Sequence, residues 1–254
     1  MHFDSMEMQA IIRKHVPREF ICAADLKSAL SANHPHSRNY SADFLMMYMA
    51  LQGGLRSGTV SLLRLQDIIE IEIDEQTLRI RVSCNMYRFK ARGEGWARIK
   101  NFSGYISQPN NPIYHLHHRI LELTNGAMGL IRCNSIEESM YGWNNDPAMV
   151  GIVAADITTN NYTTIIHYLH EQDDEDLRDT YLFKRGSPVN PTNRHAQMVK
   201  RRFAHYPPQL LKRLVFHSLR AGFYVTTVFN IAKHNAWNVG QALDVAKLLG
   251  EWRI

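Results

Sequence analysis

Two short segments place arginines where the backbone can hold them at a fixed angle. His217-Ser218-Leu219-Arg220 reads as the start of a helix. Its spacing sets Arg220 about one turn beyond His217, on the same helical face. Ser218 is the expected cap. A helix start offers free backbone N–H groups and the positive end of the helix dipole to an anion. Gly53-Gly54-Leu55-Arg56 is the second segment, a glycine corner between two expected helices. Glycines let the chain turn sharply there, so Arg56 leaves the core in a set direction. A fixed guanidinium of this kind can grip a phosphate through two parallel N–H···O bonds.

The elements around these segments follow from periodicity. Residues 1–22 read as a lead-in. Helices are expected over Ala23–Ala32, over Phe44–Gln52 after a Ser41-Ala42-Asp43 cap, and from Ser57 to about Leu65. The period then changes to that of a strand. Ile69, Ile71 and Ile73 alternate with acidic residues, and Leu78, Ile80, Val82 and Cys84 alternate on the way back. A third strand is expected at Trp96 to Ile99. Helices resume from Ile113 to Leu123, Thr163 to His170, Asn193 to Ala204, Ser218 to about Lys233 and Val239 to Leu249. Met149 to Ala155 is short and apolar, and Tyr181-Leu182-Phe183 is a short extended piece. The class is α+β: mostly helical, with a small antiparallel sheet of about three strands after the second or third helix. Gly222 falls inside the helix that bears Arg220. A glycine there costs up to ~1 kcal/mol against alanine, which points to close approach of another backbone or of DNA.

Bulk properties set limits on partners. The chain has 254 residues and a formal net charge of +5, with a pI near 9.1. That permits a polyanion partner without demanding one. The charge is unevenly placed. Arg88 to Lys100 is basic, as is Lys200-Arg201-Arg202 to Lys212-Arg213, whereas Asp173-Asp174-Glu175-Asp176 reads as a solvated acidic loop. The three cysteines, Cys22, Cys84 and Cys133, are widely spaced. Reduced core thiols in an intracellular compartment are the expectation, nucleus or cytoplasm according to the cell type. No apolar run is long enough to cross a bilayer, and the N-terminus lacks the pattern of a secretory signal. His115, His117 and His118 form the densest histidine cluster, but only His115 and His118 share a helical face, and no metal site is expected.

The run Gly54-Leu55-Arg56, then Leu63-Arg64-Leu65-Gln66-Asp67-Ile68, resembles the first arginine box of the tyrosine recombinase/integrase family. Phe216-His217-Ser218-Leu219-Arg220-Ala221-Gly222-Phe223 resembles the second. The likeness covers about Ala23 to Trp252, as a catalytic domain over 23–254 that is C-terminally incomplete. It implies DNA cleavage and rejoining through a 3′-phosphotyrosine, with no cofactor or metal. Arg56 and Arg220 would stabilise the charged phosphorus centre, where loss of one such donor costs roughly 3–4 kcal/mol of barrier. His217 would position the phosphate and move protons. The hairpin lysine that acts as general acid in the family matches Lys90, with Lys100 and Arg88 as alternatives.

The remaining implied positions depart from the family pattern. Thr59 stands where many members carry a carboxylate. At the family's His/Trp position the chain reads Gly250-Glu251-Trp252, so either Trp252 fills that role or the corner is altered. The nucleophilic tyrosine is expected after Ile254 or from another chain, so the chain alone is expected to perform no strand transfer. Arg88, Arg92, Lys200, Arg201, Arg202, Lys212 and Arg213 are the expected DNA contacts. The implied partners are DNA and further copies of the chain on DNA, with no membrane and no small-molecule cofactor. Two alternatives stand beside this reading: a non-enzymatic DNA-binding remnant and an unrelated helical interaction module.

Overall fold

The computed structural model describes residues 19–74, 77, 79–85, 99–124, 130, 179–183, 191–235 and 241–242. Lys90, Arg88, Arg92, Glu251, Trp252 and Cys133 lie outside them. So do the helices expected at Thr163 to His170 and, but for Gln241 and Ala242, at Val239 to Leu249. The described elements run α1 (Ala23–Ala32), α2 (Tyr40–Gly53), α3 (Ser57–Ser61), a 3₁₀ turn (Leu65–Asp67), β1 (Ile68–Asp74), β2 (Arg79–Asn85), β3 (Ile99–Gly104), α4 (Pro112–Leu123), α5 (Pro191–Arg202), α6 (Pro208–Arg213) and α7 (Phe216–Asn235). Helices with one small sheet make the fold α+β. No helix among the described residues is long and apolar enough to cross a membrane.

The chain divides into two units. The first comprises 1–33, 49–57 and 189–254, and the second 34–48 and 58–188. In the first, α1 buries Leu26, Ala29 and Leu30, the i, i+3, i+4 stripe of an amphipathic helix. It is opened by Asp25, whose carboxylate accepts the Cys22 N–H at 2.7 Å. It closes at Asn33, whose amide donates to the Ala29 carbonyl at 2.7 Å. Helix α5 is two-faced. His195, Met198, Val199 and Arg202 are buried, while Arg194, Gln197, Lys200 and Arg201 face water. Along α7, Ala221, Tyr224, Val228 and Ala232 build a core with Ala242, and Phe20, Val225 and Ile231 pack against it.

The second unit holds the sheet, in order β1-β2-β3, antiparallel throughout. One cross-strand row, Ile71–Val82–Phe102, is wholly buried. The expected alternation of Ile69 and Ile71 fails at the start of β1. A bulge between Ile68 and Glu70 turns Ile68 inward and leaves Ile69 half-buried. On the other face Arg81 pairs with Glu72, Ser83 donates to Glu70 at 3.1 Å, and Arg79 donates to Ser103 at 2.7 Å. Helix α4 lies against β3 and β2. It is capped by Asn111, whose side-chain oxygen accepts the N–H groups of Ile113 at 2.9 Å and Tyr114 at 3.3 Å. Burial pushes the Cys84 thiol up to about 12.

Two further expectations are corrected by local hydrogen bonding. Helix α2 starts at Tyr40, so Ser41 and Asp43 lie buried inside its first turns instead of capping it. The helix expected up to Leu65 stops at Ser61. Beyond it the chain leaves the helix so that the Leu63 carbonyl can accept from Leu182 N–H at 2.9 Å, and Leu65 N–H can donate to Thr180 at 3.0 Å. That bridge also fixes the extended piece at Tyr181.

Candidate nucleic-acid interface

Arg56, His217 and Arg220 all belong to the first unit. Gly54 has φ +64, a left-handed conformation that a side chain would strain. It ends α2, Leu55 anchors the corner at 7% exposure, and Arg56 emerges exposed. The glycine also makes room. A Cβ on Gly54 would stand 2.7 Å from the ring of Phe223 on α7. The first arginine corner therefore rests on the helix that carries the second box.

Helix α7 begins at Phe216, two residues before the expected start at Ser218. Ser218 consequently does not stand at the cap position. From inside the first turn its hydroxyl accepts the Val215 N–H at 3.2 Å, while its own N–H donates to Val215 carbonyl at 2.9 Å. His217 is exposed on that first turn, whereas Arg220 is 5% exposed. The two members of the second box thus share the helix start, with only the histidine standing clear of the protein. The chain ahead of α1 braces this turn. Ile21 N–H donates to the Ser218 carbonyl at 2.9 Å, and Ile21 oxygen fills the place a Gly222 side chain would take. The close approach expected at Gly222 is therefore made by a backbone of this chain. Phe216 packs beside the His195 ring at 5.3 Å. Burial, and then the charge of Arg194, hold the His195 imidazole below its ordinary pKa.

The expected DNA-contacting cations separate on inspection. Lys200 and Arg201 lie exposed on the last turn of α5, and Lys212 and Arg213 on the last turn of α6. Arg213 pairs with Glu19 at 3.2 Å. Arg202 does not join them. It is 2% exposed, and its guanidinium donates to Asn33 Oδ1 at 3.3 Å. The helical period explains the difference, because Arg202 falls on the buried stripe with His195, Met198 and Val199. Arg194, which charge runs do not single out, belongs to the exposed row instead. Its spacing to Lys200 and Arg201 is the signal that finds it.

The other residues of the Arg64 to Ile68 run have local duties in the second unit. Asp67 accepts the Arg64 N–H at 2.8 Å and closes the 3₁₀ turn ahead of β1. Arg64 donates to Asp179 at 2.6 Å and to the Tyr181 hydroxyl at 3.1 Å, with its guanidinium 4.8 Å from the centre of the Tyr181 ring. Thr59 sits half-buried in α3. Lys100, the described alternative for the hairpin lysine, lies on β3 opposite Cys84.

The histidine cluster is a packing feature. His115 is fully buried, flanked by the rings of Phe44 and Tyr48 at 5.4 and 5.7 Å, with Nε2 at 2.7 Å from Pro109 oxygen. Burial lowers its pKa to about 3. His117 is also fully buried and accepts the Leu130 N–H at 3.1 Å, and burial lowers its pKa well below the ordinary value. Among the described residues no three His, Cys, Asp or Glu side chains gather as a metal site. No family model, curated protein or solved structure matches the chain.

Proposed function

We propose that the chain is a DNA-binding domain of the tyrosine recombinase kind, in which the first unit cradles a backbone phosphate. The carrying observation is the seating of Gly54 on Phe223, which brings the Arg56 corner to the helix bearing His217 and Arg220. An exposed guanidinium, an exposed imidazole and a helix start then offer donors to one phosphate. Arg194, Lys200, Arg201 and Lys212 give the same unit an exposed basic surface for neighbouring phosphates. The activity this reading implies is cleavage and rejoining of DNA through a phosphotyrosine, with Lys90 as general acid and Trp252 beside the phosphate.

A DNA-binding module without strand-transfer chemistry is the second reading. Two described tyrosines of the first unit favour it, since both are engaged in the fold. Tyr224, on α7, is 4% exposed, and the Tyr206 hydroxyl donates to Asp25 at 2.6 Å.

Titrating a labelled duplex at stepped salt tests the common core of both readings. Each neutralised phosphate contributes a slope of about −0.9 in log K against log salt. Arg56→Ala is expected to weaken binding about tenfold or more, in line with loss of a charge-assisted pair. A flat salt response of the native protein would sink the DNA reading. Incubation with a nicked suicide duplex then separates the two versions, because only strand transfer leaves a covalent protein–DNA adduct.

A further inference from the structure

We propose that Phe223 is a positioning residue, whose ring, seated on Gly54, sets the Arg56 corner against the turn of α7 that bears His217 and Arg220. This rests on the phosphate-binding reading and adds to it the part that fixes its geometry. Arg56 is exposed and lies between two helices, two residues beyond Gly54, a reach of at most ~7 Å. Phe223 lies three residues beyond Arg220, a rise of roughly 4.5 Å along the helix. One contact between Gly54 and Phe223 therefore stands close to both arginines along the chain.

The contact is tight from both sides. A Cβ at Gly54 would stand 2.7 Å from one ring carbon and 2.8 Å from the next, so the ring lies directly on the glycine backbone. On the same helix Gly222 is backed by Ile21 oxygen, 1.8 Å from where its Cβ would be, and by Leu51 at 3.0 Å. With a backbone already in place beside Gly222, α7 has little freedom to follow a shift of the Gly54 corner. The ring sets the spacing, and a smaller side chain leaves a gap into which the corner can relax.

The test is a double-variant cycle read by salt dependence on a random-sequence duplex, with folding checked by circular dichroism. Phe223→Ala is expected to lower affinity about tenfold and to reduce the slope by about 0.9, the equivalent of one phosphate. Arg56→Ala is expected to do the same. The combined variant is expected to fall little further, because both remove one contact. Phe223→Ala with Lys200→Ala is expected to show the sum of the single effects. Gly54→Ala provides a second route should Phe223→Ala fold poorly. It pushes on the ring and is expected to lose the same slope, and Phe223→Leu added to it is expected to restore part of the loss by making room. Wild-type slope and affinity in Phe223→Ala or in Gly54→Ala, or full additivity of Phe223→Ala with Arg56→Ala, each overturn the role of Phe223. A flat salt response of the native protein takes down the phosphate-binding reading as well, so the two failures are told apart.

Discussion

Ile21 and Gly222 touch backbone to backbone: the carbonyl oxygen of Ile21 lies 1.8 Å from where a Gly222 Cβ would stand. In an isolated helix, alanine for glycine gains up to ~1 kcal/mol. Here the collision opposes it, because the obstructing atom is the backbone oxygen of Ile21, a residue whose N–H donates to the Ser218 carbonyl at 2.9 Å. Gly222→Ala is therefore expected to destabilise the protein by about 3 kcal/mol, as overpacking of a filled site does. Denaturant unfolding checks it; a variant as stable as the native protein would show that the segment yields.

Arg202 and Lys200 are two residues apart with opposite fates. Arg202→Ala removes a buried side chain and its hydrogen bond to Asn33, for an expected loss of about 2–3 kcal/mol of stability. Lys200→Ala is expected to change stability by less than ~0.5 kcal/mol and to lower the salt slope of DNA binding by about 0.9. Thermal melts and salt titrations on the same two variants separate the roles. Equal stability of both would contradict the burial of Arg202.

Asp67 closes the turn before β1 by accepting the Arg64 N–H at 2.8 Å, and it is 6% exposed. Asp67→Ala is expected to cost about 1 kcal/mol, the usual worth of a side-chain cap. Asp67→Asn keeps an acceptor oxygen and is expected to cost less. Denaturant midpoints at constant m-value measure both, and equal losses would show that charge rather than the hydrogen bond matters.

Stability is expected to fall in acid through His115 and His117. Both have folded-state pKa values below the ordinary 6.5, His115 at about 3, because burial disfavours the charged ring. For His115, between about pH 6.5 and 3 the unfolded chain binds the proton and the folded one does not, and for His117 the same holds as pH falls below 6.5. Stability is thus intact above about pH 6.5 and declines as pH falls toward 3, by up to about 1.4 kcal/mol per pH unit for each group. His115→Gln and His117→Gln are expected to flatten this slope in urea titrations run at successive pH values. An unchanged slope would place the acid sensitivity elsewhere.

Much of the frame was legible in the residue pattern. The helix of α1, the alternation Ile80, Val82, Cys84 in β2 and the helical stretch of α4 from Ile113 each show on a single segment, because each arises from local periodicity. Boundaries set by distant partners were not legible. Helix α3 ends early because residues 180–182 claim the backbone of Leu63 and Leu65, and no local signal near Ser61 announces that. The same holds for the bulge at Ile68, which exists only once β1 meets β2.

The sequence by itself determined where the backbone turns beside two of its basic segments: a glycine corner ends a helix ahead of Arg56, and a helix starts beside His217. Tertiary structure alone decided how they stand. It seated Gly54 on Phe223, braced α7 with Ile21, buried Arg220 and left His217 exposed, and moved Arg202 from the basic surface to the core. The reason is that charge and helix propensity are carried by the residue and its near neighbours. Burial and spacing depend on which remote backbone fills the adjoining space, and close packing permits one arrangement where the local pattern permits several.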